Sequence, residues 1–106
     1  MEIKQYSVYW MNLDPVVSSE VNKTRPCVII SPNEMNKYLR TVVISPLTHT
    51  LKPYPTRVAC TITGEKGMIM LDQIRTIDKQ RILTYISTLK KAECVKIKEV
   101  INEMLC

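Results

Sequence analysis

Asn22-Lys23-Thr24-Arg25-Pro26-Cys27-Val28-Ile29-Ile30-Ser31-Pro32 is the stretch on which the reading of this chain turns. From Arg25 to Ser31 it is short, apolar and β-branched, and Pro26 stands at its opening, where a missing backbone donor is tolerated in a strand. Before it lies Val16 to Thr24, polar and without periodicity. That is long for a hairpin loop, and loops of such length tend to carry function. After it, Pro32 to Tyr38 reads as one or two turns of helix, with Ser31 as the cap and Pro32 at the first helical position.

The same pattern continues outward in both directions. Ser7 to Leu13 is a strand rich in aromatic and β-branched residues, ended by Asp14-Pro15. Thr41 to Ser45 is a third strand, running out through Pro46, Leu47 and Thr48. His49 to Pro55 is a second long loop, because Pro53 and Pro55 forbid regular pairing. Thr56–Ile62 and Met68–Asp72 are two further strands joined by residues 63–67. The chain's only two glycines, Gly64 and Gly67, fall in that connection, where a turn would use positive φ. Ile74–Asp78 and Arg81–Ile86 add one or two short strands. After Leu89 the period changes: Ile97, Val100, Ile101, Met104 and Leu105 share one helical face, with Lys96, Lys98, Glu99 and Glu103 elsewhere. The expected fold is mainly β with helices, a small β-barrel lidded by a C-terminal helix.

A chain of 106 residues is close to one ordinary domain, so residues 1–106 are read as one unit. A domain of this size buries roughly two-thirds of the surface its unfolded chain exposes, so pairing with a second copy would add stability and a homodimer is expected. No apolar run approaches the roughly 18 residues that span a bilayer, and Met1 to Gln5 lacks the apolar stretch of a secretion signal, so a cytoplasmic protein is expected. Cys27, Cys60, Cys94 and Cys106 are scattered, with neither a Cys-x-x-Cys pair nor a cluster with His, so neither disulfides nor a metal site is expected. Cys27 and Cys60, inside apolar runs, read as small buried hydrophobes. The net charge is +5. Lys23, Arg25, Lys37, Arg40, Lys52 and Arg57 stand against one acid, Glu34, so residues 23–57 hold that whole excess. Such a field suits a polyanion, since each neutralised phosphate releases counterions.

A nuclease without a metal can cut RNA by using the neighbouring 2′-OH as nucleophile. The protein must then position the phosphate, stabilise the charge of the transition state and manage two proton transfers. Arginine suits the first two tasks, because its planar, charged fork matches phosphate oxygens, and hydroxyls can complete the cradle. Arg25, where the first long loop meets a strand, and Thr48, where a strand becomes the second loop, are candidates. By position alone, an Arg at a strand start is usually a solvated charge, and a Thr at a strand end is usually only a good β former.

The quoted stretch also resembles the signature of the MazF/PemK toxins, in which a Ser-Glu loop precedes Arg-Pro and an apolar strand. Tyr9-Trp10-Met11-Asn12-Leu13-Asp14-Pro15 upstream, Thr41 to Thr48, and Leu71-Asp72-Gln73-Ile74-Arg75-Thr76-Ile77-Asp78 with Arg81 downstream fall in that family's order, so the resemblance covers nearly the whole chain. It implies an SH3-like (PemK/CcdB-like) barrel, a homodimer, and sequence-specific endoribonuclease activity on single-stranded RNA with no metal and no cofactor. It implies that Arg25 contacts the scissile phosphate and assists proton transfer, and that the Thr48 hydroxyl holds the phosphorane oxygens. Arginine is by nature a poor free acid or base, which leaves the proton role the weaker half. Ser19, Glu20, Lys23 and Thr24 would lie in a loop folding over the RNA, with Gln73 lining the same groove. The resemblance further implies a cognate antitoxin, MazE-like, whose acidic C-terminal segment blocks the groove.

His49, the only histidine, follows Thr48 directly and would invite a general-base role. The family does not require it, and it reads as an RNA-contacting surface residue. Tyr9 and Trp10 could stack bases, although packing within the first strand is the expected use. The chain departs from the family pattern at Tyr6-Ser7, where Gly-Asp is usual, at Ser18, where Gly is frequent, and at Lys90, where Ser or Thr often caps the helix. The Ser18 change puts the loop's conformation in doubt, and with it the preferred RNA sequence. Two alternatives share the fold. A CcdB-like toxin poisons gyrase by protein contact and relies on a tryptophan near the carboxyl terminus, whereas this chain ends Glu103-Met104-Leu105-Cys106 and its one tryptophan is Trp10. A noncatalytic RNA-binding barrel would bind without turnover.

Overall fold

The computed structural model describes residues 2–13 and 24–106. Seven strands, two α-helices and two short 3-10 turns follow one another along the described residues. The strands are β1 (Ser7–Asn12), β2 (Thr24–Ile29), β3 (Thr41–Thr48), β4 (Arg57–Ile62), β5 (Glu65–Met70), β6 (Arg75–Asp78) and β7 (Ile82–Thr88), and the helices α1 (Asn33–Tyr38) and α2 (Lys91–Leu105). The sheet is antiparallel, ordered β4-β5-β3-β2-β1-β7, and β6 pairs with the first half of β3. It is mainly β, curled into a half-barrel, with the terminal helix against β4.

Alternation along the strands sends side chains to two apolar clusters. Val8, Val28, Leu47, Cys60, Ile69 and Leu71 pack with Ile97 and Val100 of α2. Tyr9, Met11, Cys27, Ile29 and Ile44 point the other way and meet Ile77 and Ile82. Cys27 and Cys60 are buried and unpaired, in keeping with their apolar surroundings, and burial pushes both thiols up to about 12. They pack as neutral side chains and offer no thiolate.

Three elements differ from the sequence reading. Ser31 does not cap α1: Pro32 occupies the N-cap position, and the Ser31 hydroxyl instead donates to Asn36 Oδ1 and accepts from the Val43 amide at 3.0 Å. This buried knot ties the helix to β3. The β4–β5 turn is two residues, not five, since Ile62 pairs with Glu65. Thr63 and Gly64 supply the two positive φ angles, 48° and 84°, that a tight hairpin of this hand requires. Gly67 therefore lies inside β5, and the strand expected to run to Asp72 ends at Met70, giving way to a 3-10 turn at Leu71–Gln73.

The N-terminus of α2 is held by one carboxylate. Glu93 Oε1 accepts from the Lys90 amide at 2.9 Å, and Glu93 Oε2 accepts from the Thr61 amide of β4 at 3.0 Å. The first contact satisfies the N-cap residue's own amide, the carboxylate half of a capping box, while the Lys90 side chain supplies no acceptor for the helix. No helix among the described residues is long and apolar enough to cross a membrane.

Candidate active site

Strand register brings the two candidate residues to one rim. β2 and β3 pair Ile29 with Ile44, Val28 with Ser45 and Cys27 with Pro46. Continuing that antiparallel register two residues brings Arg25 level with Thr48. On the outer side of β2, Arg25 is paired with Met11 and Pro26 with Trp10 of β1. On the outer side of β3, Thr48 is paired with Met68 of β5. The rim of the half-barrel thus runs β1, β2, β3, β5 across neighbouring strand ends.

A cleft of about 520 Å³ opens there, and both Arg25 and Thr48 line it. Its apolar floor comes from Pro26, Leu47, Ile62 and Ile86, and its polar edge from Thr24, His49, Thr50, Thr63, Glu65 and Lys66. Trp10 also lines it, 42 % exposed, which corrects the expectation that this ring packs away inside the first strand. Its neighbour Tyr9 does pack, 3 % exposed and edge-on to Tyr85 at 5.6 Å between ring centroids. The pleat divides them: Trp10 shares a sheet face with Val8 but lies nearer the strand end, beyond the cover of the core.

Thr48 is poised as a donor. Its Oγ1 accepts from the Thr50 amide at 3.2 Å, a local turn of the kind Ser and Thr form, which leaves the hydroxyl proton free to point into the cleft. The other flank of Thr48 is unusually close to its neighbour. A Cβ at Gly67 would stand 3.0 Å from the Thr48 carbonyl oxygen, tighter than ordinary contacts allow. His49 is exposed, with Nε2 3.9 Å from Glu65 Oε2 across the cleft edge. Arg25 is exposed, lines the cleft, and has no ion pair among the described residues.

The remaining candidates separate. Thr24 is exposed at the start of β2 and lines the cleft. Ser19, Glu20 and Lys23 lie outside the described residues. Gln73, expected to line the groove, sits exposed in the 3-10 turn between β5 and β6 and is not among the residues that line this cleft.

The basic run also disperses on folding. Arg57 is engaged by Asp72, Nε to Oδ1 at 3.4 Å, and lies over the Tyr54 ring at 4.8 Å. Burial acts to raise the Asp72 carboxyl, but hydrogen bonds from Arg57, the Asp72 amide and Thr56 outweigh it and hold the group below its ordinary value. Lys37 covers the Tyr38 ring at the far end of β2 and β3. In place of these, Lys66 of the hairpin brings a cation to the cleft. Sequence reasoning missed Lys66, Glu65 and Thr63, whose only signal was adjacency to a glycine turn.

Residues 4–105 match the family model for the PemK-like, MazF-like toxin of type II toxin-antitoxin systems. The chain is 31% identical to "Endoribonuclease MazF" of Staphylococcus epidermidis, over 94% of this chain and 88% of that protein. Among solved structures it is similar to an endoribonuclease from a mycobacterial species, with a TM-score of 0.83, 25% identity, and coverage of 99% of this chain and 92% of that one. A mycobacterial endoribonuclease in complex with its cognate antitoxin matches at TM-score 0.83 and 26% identity, over 97% and 94% of the two chains.

Proposed function

This chain belongs to the PemK-like, MazF-like toxin family of type II toxin-antitoxin systems, and from that premise we propose that it is an endoribonuclease that cuts single-stranded RNA through the substrate's own 2′-OH, without a metal. What supports the site assignment is that Arg25 and Thr48, distant in sequence, line the same cleft.

The reaction is an in-line displacement. The 2′ oxygen gives its proton to water and attacks the adjacent phosphorus, the bond from phosphorus to the 5′ oxygen breaks, and that oxygen takes a proton from water as it leaves, Arg25 assisting the transfers. The Arg25 guanidinium donates to the non-bridging oxygens as they gain negative charge. The Thr48 hydroxyl, which accepts from the Thr50 amide on one lone pair, donates to the same oxygens. Trp10, in the cleft wall, offers a face on which a neighbouring base can stack.

Purified protein is expected to cut RNA at an undiminished rate in excess chelator, leaving a 2′,3′-cyclic phosphate or 3′-phosphate and a new 5′-hydroxyl. End-group mapping of the fragments reads this directly, and abolition of cutting by chelator would overturn the metal-free route. Mapping the same ends across a complex RNA pool gives the preferred sequence.

The protein would act in the cytoplasm as a homodimer held in check by an acidic antitoxin segment. Support for the partner comes from the mycobacterial relative solved with its cognate antitoxin. Support for self-association comes from β7, which ends the sheet and leaves Leu83 and Tyr85 about half exposed. Co-expression with the adjacent reading frame should relieve growth arrest, and native mass measurement of the purified complex should find two copies of this chain. Arrest without relief, or a single copy, counts against it.

A further inference from the structure

We propose that Gly67 is a positioning residue for Thr48, so that the close approach of β5 to β3 at this point sets where the Thr48 hydroxyl meets the phosphate; this rests on the reading of Thr48 given above. Glycine weakens a strand interior, because it loses more backbone freedom than other residues and has no side chain to pack. Gly67 lies in the middle of β5 without a positive φ, so no turn demands it. Gly67 itself lines the cleft, and there it approaches β3 closely: a Cβ would stand 3.0 Å from the Thr48 carbonyl oxygen.

That approach is at the only stretch where β5 and β3 are paired. Leu47 opposite Ile69 and Thr48 opposite Met68 are the two register pairs between them. Beyond Thr48 the chain leaves the sheet, and the Thr50 amide returns to Thr48 Oγ1. The carbonyl that faces Gly67 and the hydroxyl that faces the cleft belong to one residue. A side chain at position 67 would have to push the Thr48 backbone away by a few tenths of an ångström, and the hydroxyl and its Thr50 contact would move with it.

Gly64 provides an internal control. It sits at φ +84° in the hairpin turn, where a Cβ would find nothing within 4 Å, and it does not line the cleft. Gly64→Ala strains the turn while leaving Thr48 alone.

The test compares Gly67→Ala, Gly64→Ala and the unaltered protein by steady-state cutting of a short RNA and by the amide proton resonance of Thr50. Gly67→Ala is expected to lower kcat about tenfold, with KM changed by less than about twofold, because misplacing a catalytic group by a fraction of an ångström costs rate more than binding. It should also shift the Thr50 resonance. Gly64→Ala should lower the melting temperature but keep both kcat and that resonance. Equal losses of kcat in the two variants, or an unmoved Thr50 resonance in Gly67→Ala, would overturn the proposal. If Thr48→Ala cuts normally, the role of Thr48 itself is wrong, while the resonance still reports whether Gly67 places it.

Discussion

Arg25→Ala is expected to cut RNA at least about 10²-fold more slowly than the unaltered protein, within the range of about 10² to 10⁴ that loss of one proton-transfer or charge-stabilising group commonly costs. The loss should fall mainly on kcat, because the guanidinium is worth most where the phosphate carries its extra charge. Arg25 is exposed and has no ion pair among the described residues, so folding has little to lose. The unfolding free energy should therefore change by no more than the roughly 0.5 kcal/mol typical of surface substitutions. Arg25→Lys keeps the charge but not the fork that grips two oxygens at once, so it should recover only part of the rate. Single-turnover cutting of a defined RNA measures both variants. Normal turnover by Arg25→Ala would mean that the chemistry happens elsewhere.

The second large effect is on stability. Ile97 is 0 % exposed at the centre of the inward face of α2, packed with Val8, Val28 and Leu71. Truncating such a side chain removes buried surface and leaves a cavity, which together cost about 2–5 kcal/mol. Domains of this size have a net stability of about 5–15 kcal/mol, so Ile97→Ala should remove a substantial part of it. Val95, two residues away and 49 % exposed, should tolerate the same change with about 0.5 kcal/mol or less. Urea unfolding followed by circular dichroism separates the two. Equal midpoints would mean that the terminal helix is not part of the core.

Much of the architecture is legible in the amino-acid sequence, and the reasons are local. The apolar spacing of Ile97, Val100, Ile101 and Met104 is that of a helix facing a core, and α2 does span Lys91–Leu105. The β-branched run at Thr41–Ser45 continues to Thr48 as expected. β5 is only half legible, because Glu65-Lys66-Gly67 has no strand composition. Those residues are strand by virtue of pairing with Cys60, Thr61 and Ile62 across a two-residue turn. The candidate site is legible in the sequence only as two strand ends, Arg25 and Thr48, which the fold brings to one cleft. It is opaque where it depends on curvature, which turns Trp10 outward at the rim and brings Lys66 to the opposite wall. A run of cations in sequence likewise does not predict one charged surface, since Arg57 is bound by Asp72 and Lys37 lies at the other end of the strands.

Glu93 has an effect larger than its two hydrogen bonds. β4 is an outermost strand, and an outermost strand carries backbone donors and acceptors that another polypeptide can adopt as a template. With its carboxylate on the Thr61 amide and its helix laid alongside, Glu93 denies one of those donors to an intruding chain. At Thr61, then, the free edge of the hairpin bearing Gly67 offers an incoming strand one ladder contact fewer.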